Sequence, residues 1–261
     1  MNRQPKAVKR LLHHLMTLDR TDQVVQVEHI SIECTDLPAA FCGARIAVVA
    51  DVHFPDALLS VPKLVRCVKA QHPDAIFLPG DLTNSYTFFD EKRLTMLAKA
   101  LTAIAPSFAI PGNHELRLDR EERYAAILKE SGVHYMCDSY ADWKKDGATL
   151  RLFGMGYRRP APLTVNDQPA IVIAHKPDRF TYYIRARWNV VVCGHAHGGQ
   201  MRLGDRSLYA PGQGFLPNYT AGVYTADDTT MVVSRGLGNS SIPWRIKNAP
   251  HLPILILHSK Q

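Results

Sequence analysis

The residues of this sequence best suited to chemistry are carboxylates, imidazoles and one amide that stand directly after short apolar runs. The clearest run is Val190 to Cys193, which breaks into Gly194-His195-Ala196-His197-Gly198-Gly199. Imidazole is the commonest protein ligand for divalent transition metals, so two of them on one strand tip suggest half of a metal site. A His-rich polar loop is the alternative when that stretch is read alone. Asp51 and His53 repeat the arrangement. Two residues apart at a strand end, they leave the same face and can reach one ion; in isolation they would serve equally as a turn aspartate beside a surface histidine. Asp81, the pair Asn113-His114, and His175 follow three further apolar runs. Five strand ends bearing the same kind of side chain make a stronger signal than any one of them.

Such residues need strands to hold them and helices to cover the strands. Arg45–Ala50, Ala75–Leu78, Ser107–Ile110, Ala170–Ala174 and Val190–Cys193 read as strands, the apolar runs being those of a sheet covered on both faces. Between them, Ser60–Gln71, Asp90–Ala105, Leu118–Lys129 and a stretch from Pro177 toward Arg187 have helical spacing and start signals. Strand, tight turn, metal-type side chain and helix thus recur, as in an α/β sheet whose site forms at the carboxyl ends of its strands. Gly194, Gly198 and Gly199 are expected to supply the positive φ that turns the two histidines. Val24–Cys34 alternates as a half-exposed strand. Beyond Gln200 the strand candidates are short and separated by Gly, Pro, Asn and Asp, which predicts antiparallel pairing.

At 261 residues, with no linker, repeat or low-complexity tract, residues 23–261 read as one domain. Residues 1–22 read as a basic amphipathic helix, with Val8, Leu11, Leu12, Leu15 and Met16 on one face and Arg3, Lys6, Lys9 and Arg10 around it. That helix packs its leucines on protein or, through residues 1–20, lies on an anionic membrane. The formal charge of +7 suits anionic partners, but no basic groove interleaved with aromatics points to nucleic acid. Five scattered cysteines without a Cys-x-x-Cys pair argue against a disulfide framework or zinc knuckle and for a reducing, cytoplasmic setting. No apolar run reaches the length of a membrane span, and the N-terminus has no secretion signal. The irregular loop Tyr157–Asp167 carries Arg158 and Arg159, which suit a phosphate or diphosphate group unless the loop is simply solvated.

As a set, Asp51-x-His53, Gly80-Asp81, Gly112-Asn113-His114-Glu115, His175 and Gly194-His195-x-His197 resemble the calcineurin-like metallophosphoesterase superfamily, from about Arg45 to Gly199. The extended Gly-His-Ala-His-Gly-Gly-Gln and the late Ser234-Arg235-Gly236-Leu237-Gly238 are similar to its bacterial YkuE/YaeI-like phosphodiesterase branch. The resemblance implies an α/β (α+β) fold of four layers, two facing mixed β-sheets flanked by α-helices. It implies one divalent ion on Asp51, His53, Asp81 and His197 and a second on Asp81, Asn113, His175 and His195, with Asp81 shared. His114 would be the catalytic residue near the leaving-group oxygen, where it can donate a proton or stabilise developing charge. Mixed nitrogen and oxygen ligands suit manganese first, with iron or zinc as alternatives, over magnesium or calcium. The implied reaction is hydrolysis of a small or lipid-linked phosphodiester or diphosphate, a UDP-diacylglucosamine-type lipid among them, by a metal-bridging hydroxide. A catalytically degenerate metal-binding protein and a metal-dependent nuclease are the competing readings. The chain departs from the family pattern at Phe54, where many relatives have a small residue.

Overall fold

The computed structural model describes residues 24–117, 120–157, 170–204, 206–210, 212–239 and 245–260. The helix expected over residues 1–22 and the candidate phosphate-binding Arg158 and Arg159 lie outside the described residues.

Alternation within short strands sets the architecture. In β2 (Arg45–Val48), Ile46 and Val48 join one apolar cluster and Ala47 another; in β3 (Ala75–Leu78), Ala75 and Phe77 divide from Ile76 and Leu78 in the same way. All of these residues are fully buried, so both faces of the sheet must be covered. With β1 (Gln26–Cys34), β4 (Ser107–Ala109), β5 (His134–Tyr135) and β12 (His251–Ser259) they form a sheet of order β1-β12-β2-β3-β4-β5. Only the β12–β2 pairing is antiparallel.

The second sheet contains β6 (Ser139–Lys145), β7 (Ala148–Gly154), β8 (Ile171–Ile173), β9 (Val190–Cys193), β10 (Gly222–Ala226) and β11 (Thr229–Val233), in the order β10-β11-β9-β8-β7-β6. Its two edge pairings are antiparallel and its centre is parallel. Ile46, Phe77, Phe108, Trp143, Ile173 and Val192 fill the space between the sheets. On the outer face of the first sheet lie α1 (Val61–Lys69), α2 (Glu91–Thr102) and α4 (Glu121–Glu130), through Leu64, Val68, Leu94, Leu97, Tyr124 and Ile127. Asp90 caps α2, its carboxylate accepting from the Arg93 N–H at 3.0 Å. On the second sheet, α5 (Phe180–Arg185) contributes Phe180 and Tyr183, packed with Trp188. The four layers expected from the sequence are therefore present.

One expectation fails. The last third is not wholly antiparallel: β11 runs parallel to β9, and β12 parallel to β1. A parallel return needs length rather than a helix. The chain gains that length between β9 and β11 through two small hairpins, Arg202–Leu203 with Arg206–Ser207 and Tyr209–Ala210 with Gly214–Phe215, and through β10.

Candidate metal centre

The tips of β2, β3, β4, β8 and β9 meet at one edge of the sandwich. Asp51, His53, Asp81, Asn113, His114, His175, His195 and His197 are all buried there. The turn that aims them is made largely by the functional residues themselves: φ is 53° at Asp51, 57° at His53, 53° at Asp81, 69° at His195 and 49° at His197. Each left-handed residue costs about 1 kcal/mol, so the surroundings must hold them. Gly198 and Gly199 take positive φ as expected, but Gly194 does not. Its role is space, because a Cβ there would lie 2.9 Å from an Asp51 carboxylate oxygen. Gly112 is required for the same reason, its Cβ position falling 2.2 Å from Asp81 Oδ1.

Backbone N–H groups orient the carboxylates. Both oxygens of Asp51 accept from the His195 N–H at 3.0 Å, and Asp81 Oδ1 accepts from the His114 N–H at 2.9 Å. The imidazoles are oriented by carbonyls. His175 Nδ1 donates to Pro79 O at 2.7 Å and His197 Nδ1 to Gly238 O at 3.3 Å, which turns both Nε2 atoms toward the centre. Around His175 Nε2 then stand Asp81 Oδ2 at 3.1 Å, Asn113 Oδ1 at 3.2 Å and His195 Nδ1 at 3.1 Å. His197 Nε2 faces His53 Nε2 at 3.0 Å, and His53 Nε2 lies 4.0 Å from Asp81 Oδ2.

Lone pairs therefore converge on lone pairs. A proton on His175 would satisfy one acceptor, whereas a metal cation would satisfy the whole set. Among the described residues, three groups have ligand atoms mutually close enough for one ion: Asp51 with His53 and His197, His53 with Asp81 and His114, and Asp81 with His175 and His195. The electrostatics describe the same demand. Burial pushes the Asp51 carboxyl up to about 7 and drives His53 and His195 down to about 3. Burial also opposes the charged form of His175, but the Asp81 carboxylate overcomes it and raises that imidazole to about 9. At Asp81 burial acts upward, and the His175 charge prevails, holding the carboxyl well below its usual range. A dication would favour both carboxylates as anions and every imidazole as a neutral donor, so the residues fit one.

Residues to which the sequence reading gave no role complete the site. Glu115, fully buried, accepts from the Gly112 N–H (2.8 Å), Asp81 N–H (3.0 Å), Thr83 N–H (2.9 Å) and Thr83 hydroxyl (2.9 Å), tying the β3 and β4 turns together. Burial, and then the Asp81 charge, raise its carboxyl to about 7. Its place at the end of Gly-Asn-His-Glu, at N3 of the short helix α3 (Asn113–Leu116), is the signal that could have revealed it. Arg245, also buried, donates to the carbonyls of Gly238 and Arg235 behind His197, and nothing local in the sequence marks it. Ser85 donates its N–H to His114 Nδ1 at 3.0 Å. Tyr86, Arg117, Tyr157, Lys176 and Tyr209 wall a cleft of about 290 Å³ above the centre.

With this geometry established, the comparisons decide the family. The family model for calcineurin-like phosphoesterases matches residues 44–199. The chain belongs to that family. As a member it is a metal-dependent hydrolase of phosphoesters. It is 27% identical over 214 residues to the phosphodiesterase YaeI of Escherichia coli (strain K12), covering 75% of each chain. It is 25% identical over 249 residues to the uncharacterized metallophosphoesterase YkuE of Bacillus subtilis (strain 168), covering 90% of this chain and 86% of that one. The structure of TT1561 from Thermus thermophilus superposes with a TM-score of 0.50 at 13% identity, covering 74% of this chain and 90% of that one, and shows the shared fold. Among the described residues no helix of this phosphoesterase is long and apolar enough to cross a membrane.

Proposed function

We propose that this phosphoesterase is a dinuclear phosphodiesterase. One ion is held by Asp51, His53, Asp81 and His197, and the other by Asp81, Asn113, His175 and His195. The observation that carries the reading is Asp81, whose Oδ2 stands between His175 on one side and His53 on the other. The mixed donor set favours manganese, with iron or zinc next. Two such ions lower the pKa of a bound water toward about 7 and polarise the phosphoryl oxygens.

The protein supplies orientation and a hydrogen-bond donor. Ser85 occupies the Nδ1 lone pair of His114, so the neutral ring carries its proton on Nε2, within the group it shares with His53 and Asp81. Burial lowers the His114 pKa and keeps the ring neutral near pH 7. A leaving oxygen above the centre accepts a hydrogen bond from that N–H, which stabilises its developing charge, while the proton it finally takes comes from the attacking water. A diester is favoured by the likeness to a named phosphodiesterase and by a cleft with room for a second substituent. Lipid-linked diesters fall within the class, because exposed Phe215, packed on the cleft-wall Tyr209 with ring centroids 5.6 Å apart, offers apolar contact beside the polar cleft. Five scattered cysteines without a Cys-x-x-Cys pair favour a reducing compartment.

Metal analysis alongside turnover of bis-p-nitrophenyl phosphate with Mn²⁺ tests the reading. His114→Gln should lower turnover by about 10²- to 10⁴-fold while metal content stays at the wild-type level. Parallel loss of metal and turnover would remove the donor role from His114.

A further inference from the structure

Between β11 and β12 the chain forms a glycine-rich loop, Ser234-Arg235-Gly236-Leu237-Gly238, that lies against one half of the cluster only. The Leu237 N–H donates to Ala50 O at 3.0 Å and the Gly238 N–H to Asp51 O at 2.7 Å, which fixes the loop to the turn carrying Asp51. Close packing ties the two together as well. Gly236, at φ 71°, has its Cβ position 2.7 Å from Asp51 Cβ, and that of Gly238 falls 2.2 Å from Val52 O. The Gly238 carbonyl then accepts from His197 Nδ1 at 3.3 Å. Asp51 and His197 therefore both rest on this loop. Among the described residues no hydrogen bond runs from it to Asp81, Asn113, His175 or His195. The turns that carry Asp81 and Asn113 are joined by Glu115, and His175 is oriented by Pro79 O.

A loop with two glycines is free enough to need a brace before it can hold a ligand still. Arg245 supplies one. Its Nε donates to Gly238 O at 3.1 Å, its Nη2 donates to the same oxygen and to Arg235 O at 2.8 Å, and Nη2 stands 3.4 Å from His197 Nδ1. One planar guanidinium thus spans the loop from Arg235 to Gly238, a reach that a lysine ammonium cannot copy. Arg245 is buried, and burial lowers its pKa to about 10 against the favourable charge of Asp51, so it is a cation at pH 7. Among the described residues no carboxylate lies within ion-pair distance of it. A buried guanidinium held by carbonyls alone does little for stability. It also repels a metal ion nearby, so any gain in metal affinity must come through the ligands it steadies. Resting on the dinuclear reading above, we propose that Arg245 is a positioning residue for one ion of the pair. By clamping the Arg235–Gly238 loop it fixes Asp51 and His197, and it sets the affinity of the ion they hold without setting that of the other.

The test titrates Mn²⁺ into metal-free full-length protein by calorimetry. Wild type is compared with Arg245→Met, Arg245→Lys, His197→Ala and the double variant Arg245→Met with His197→Ala. In Arg245→Met the dissociation constant of one ion should rise about 10- to 100-fold, the range for groups that orient ligands, while that of the other moves by less than about twofold. Arg245→Lys keeps the charge and loses the fork, so it should follow Arg245→Met and not wild type; it carries the comparison if Arg245→Met does not fold. The double variant identifies the half. With His197 already gone, removing Arg245 should change the affinity of the remaining ion by less than about twofold. A purely structural role would lower the thermal midpoint and weaken both ions together, and equal weakening overturns the proposal. So does a pair of affinities left unchanged or tightened. If wild type binds a single ion, the dinuclear reading fails on its own. Weakening of that ion by Arg245→Met and by His197→Ala alike then still upholds the clamp, and indifference to either change overturns it. A protein that binds no ion overturns both.

Discussion

At the edge of the sandwich where β2, β3, β4, β8 and β9 end, carboxylate, amide and imidazole groups are buried together around a cleft of about 290 Å³. The opposite end has a larger cavity, about 670 Å³, lined by charged residues that include Asp36, Arg151, Arg187, Asp228 and Lys260. Volume would choose the second; chemistry chooses the first. Lys260 and Asp228 pair at 2.9 Å with side chains 42% and 85% exposed, so water solvates both, and a hydrogen bond from Lys260 merely lowers the Asp228 carboxyl. At the candidate metal edge the groups are buried, each group's charge depends on its neighbours, and acceptors face acceptors. Buried groups that can be satisfied only by something the chain does not itself supply mark the site.

The largest effect expected from that contrast is at Asp81. Asp81→Asn removes the charge shared by both halves of the cluster and replaces one oxygen by a donor nitrogen that cannot bind a cation. Bound metal should fall from about two ions per chain to less than about one. Turnover should fall on the order of 10³-fold. Elemental analysis of the purified variant decides it: two retained ions would show that Asp81 does not join the halves. Chelation of the wild-type protein should lower its thermal midpoint as well, since an ion bound only by the folded state stabilises it.

An intermediate effect belongs to Glu115, which touches no ion in the proposed arrangement. Glu115→Gln leaves one acceptor oxygen where two served four donors, and turns an NH₂ group toward buried N–H groups. The cost is about 1–3 kcal/mol, or several degrees of thermal midpoint. Metal affinity should weaken by about 10- to 100-fold, as for other groups that orient ligands. The sharpening measurement is the midpoint after chelation. If the difference from wild type vanishes in the metal-free proteins, Glu115 acts through the ions and not by joining the two turns.

Much of the site was legible because candidate metal ligands at strand ends leave a local signature: an apolar run, a turn, then Asp, Asn or His. Asp51, His53, Asp81, Asn113, His175, His195 and His197 all carried it, and the structure brings them together. The four layers were legible through the family resemblance those residues carry. The parallel placement of β11 against β9 was not, because strand direction depends on how the chain travels between them and not on either strand's own residues. Arg245 was invisible for a related reason. Its carbonyl partners Gly238 and Arg235 stand 7 and 10 residues back in the same connection between β11 and β12, and only the folding of that connection against the turn after β9 places them behind His197. Gly194 was recognised as necessary for the wrong reason, since the constraint is the Asp51 carboxylate beside it and not its own φ. Sequence carries local chemistry well and approach across the fold poorly.

The smallest effect lies at the far cavity. Lys260→Ala breaks the pair with Asp228, yet an exposed pair gains little in water and is screened further by salt. At physiological ionic strength the variant should match wild type in metal content, in turnover and in thermal midpoint. In dilute buffer, where the Debye length grows from about 8 Å to about 30 Å, a small lowering of the midpoint should emerge, still without any change in turnover. The salt series separates a surface charge from a functional one. A drop in turnover at any ionic strength would mean that the larger cavity is coupled to the metal edge through the strands between them, and the contrast between the two ends would fail.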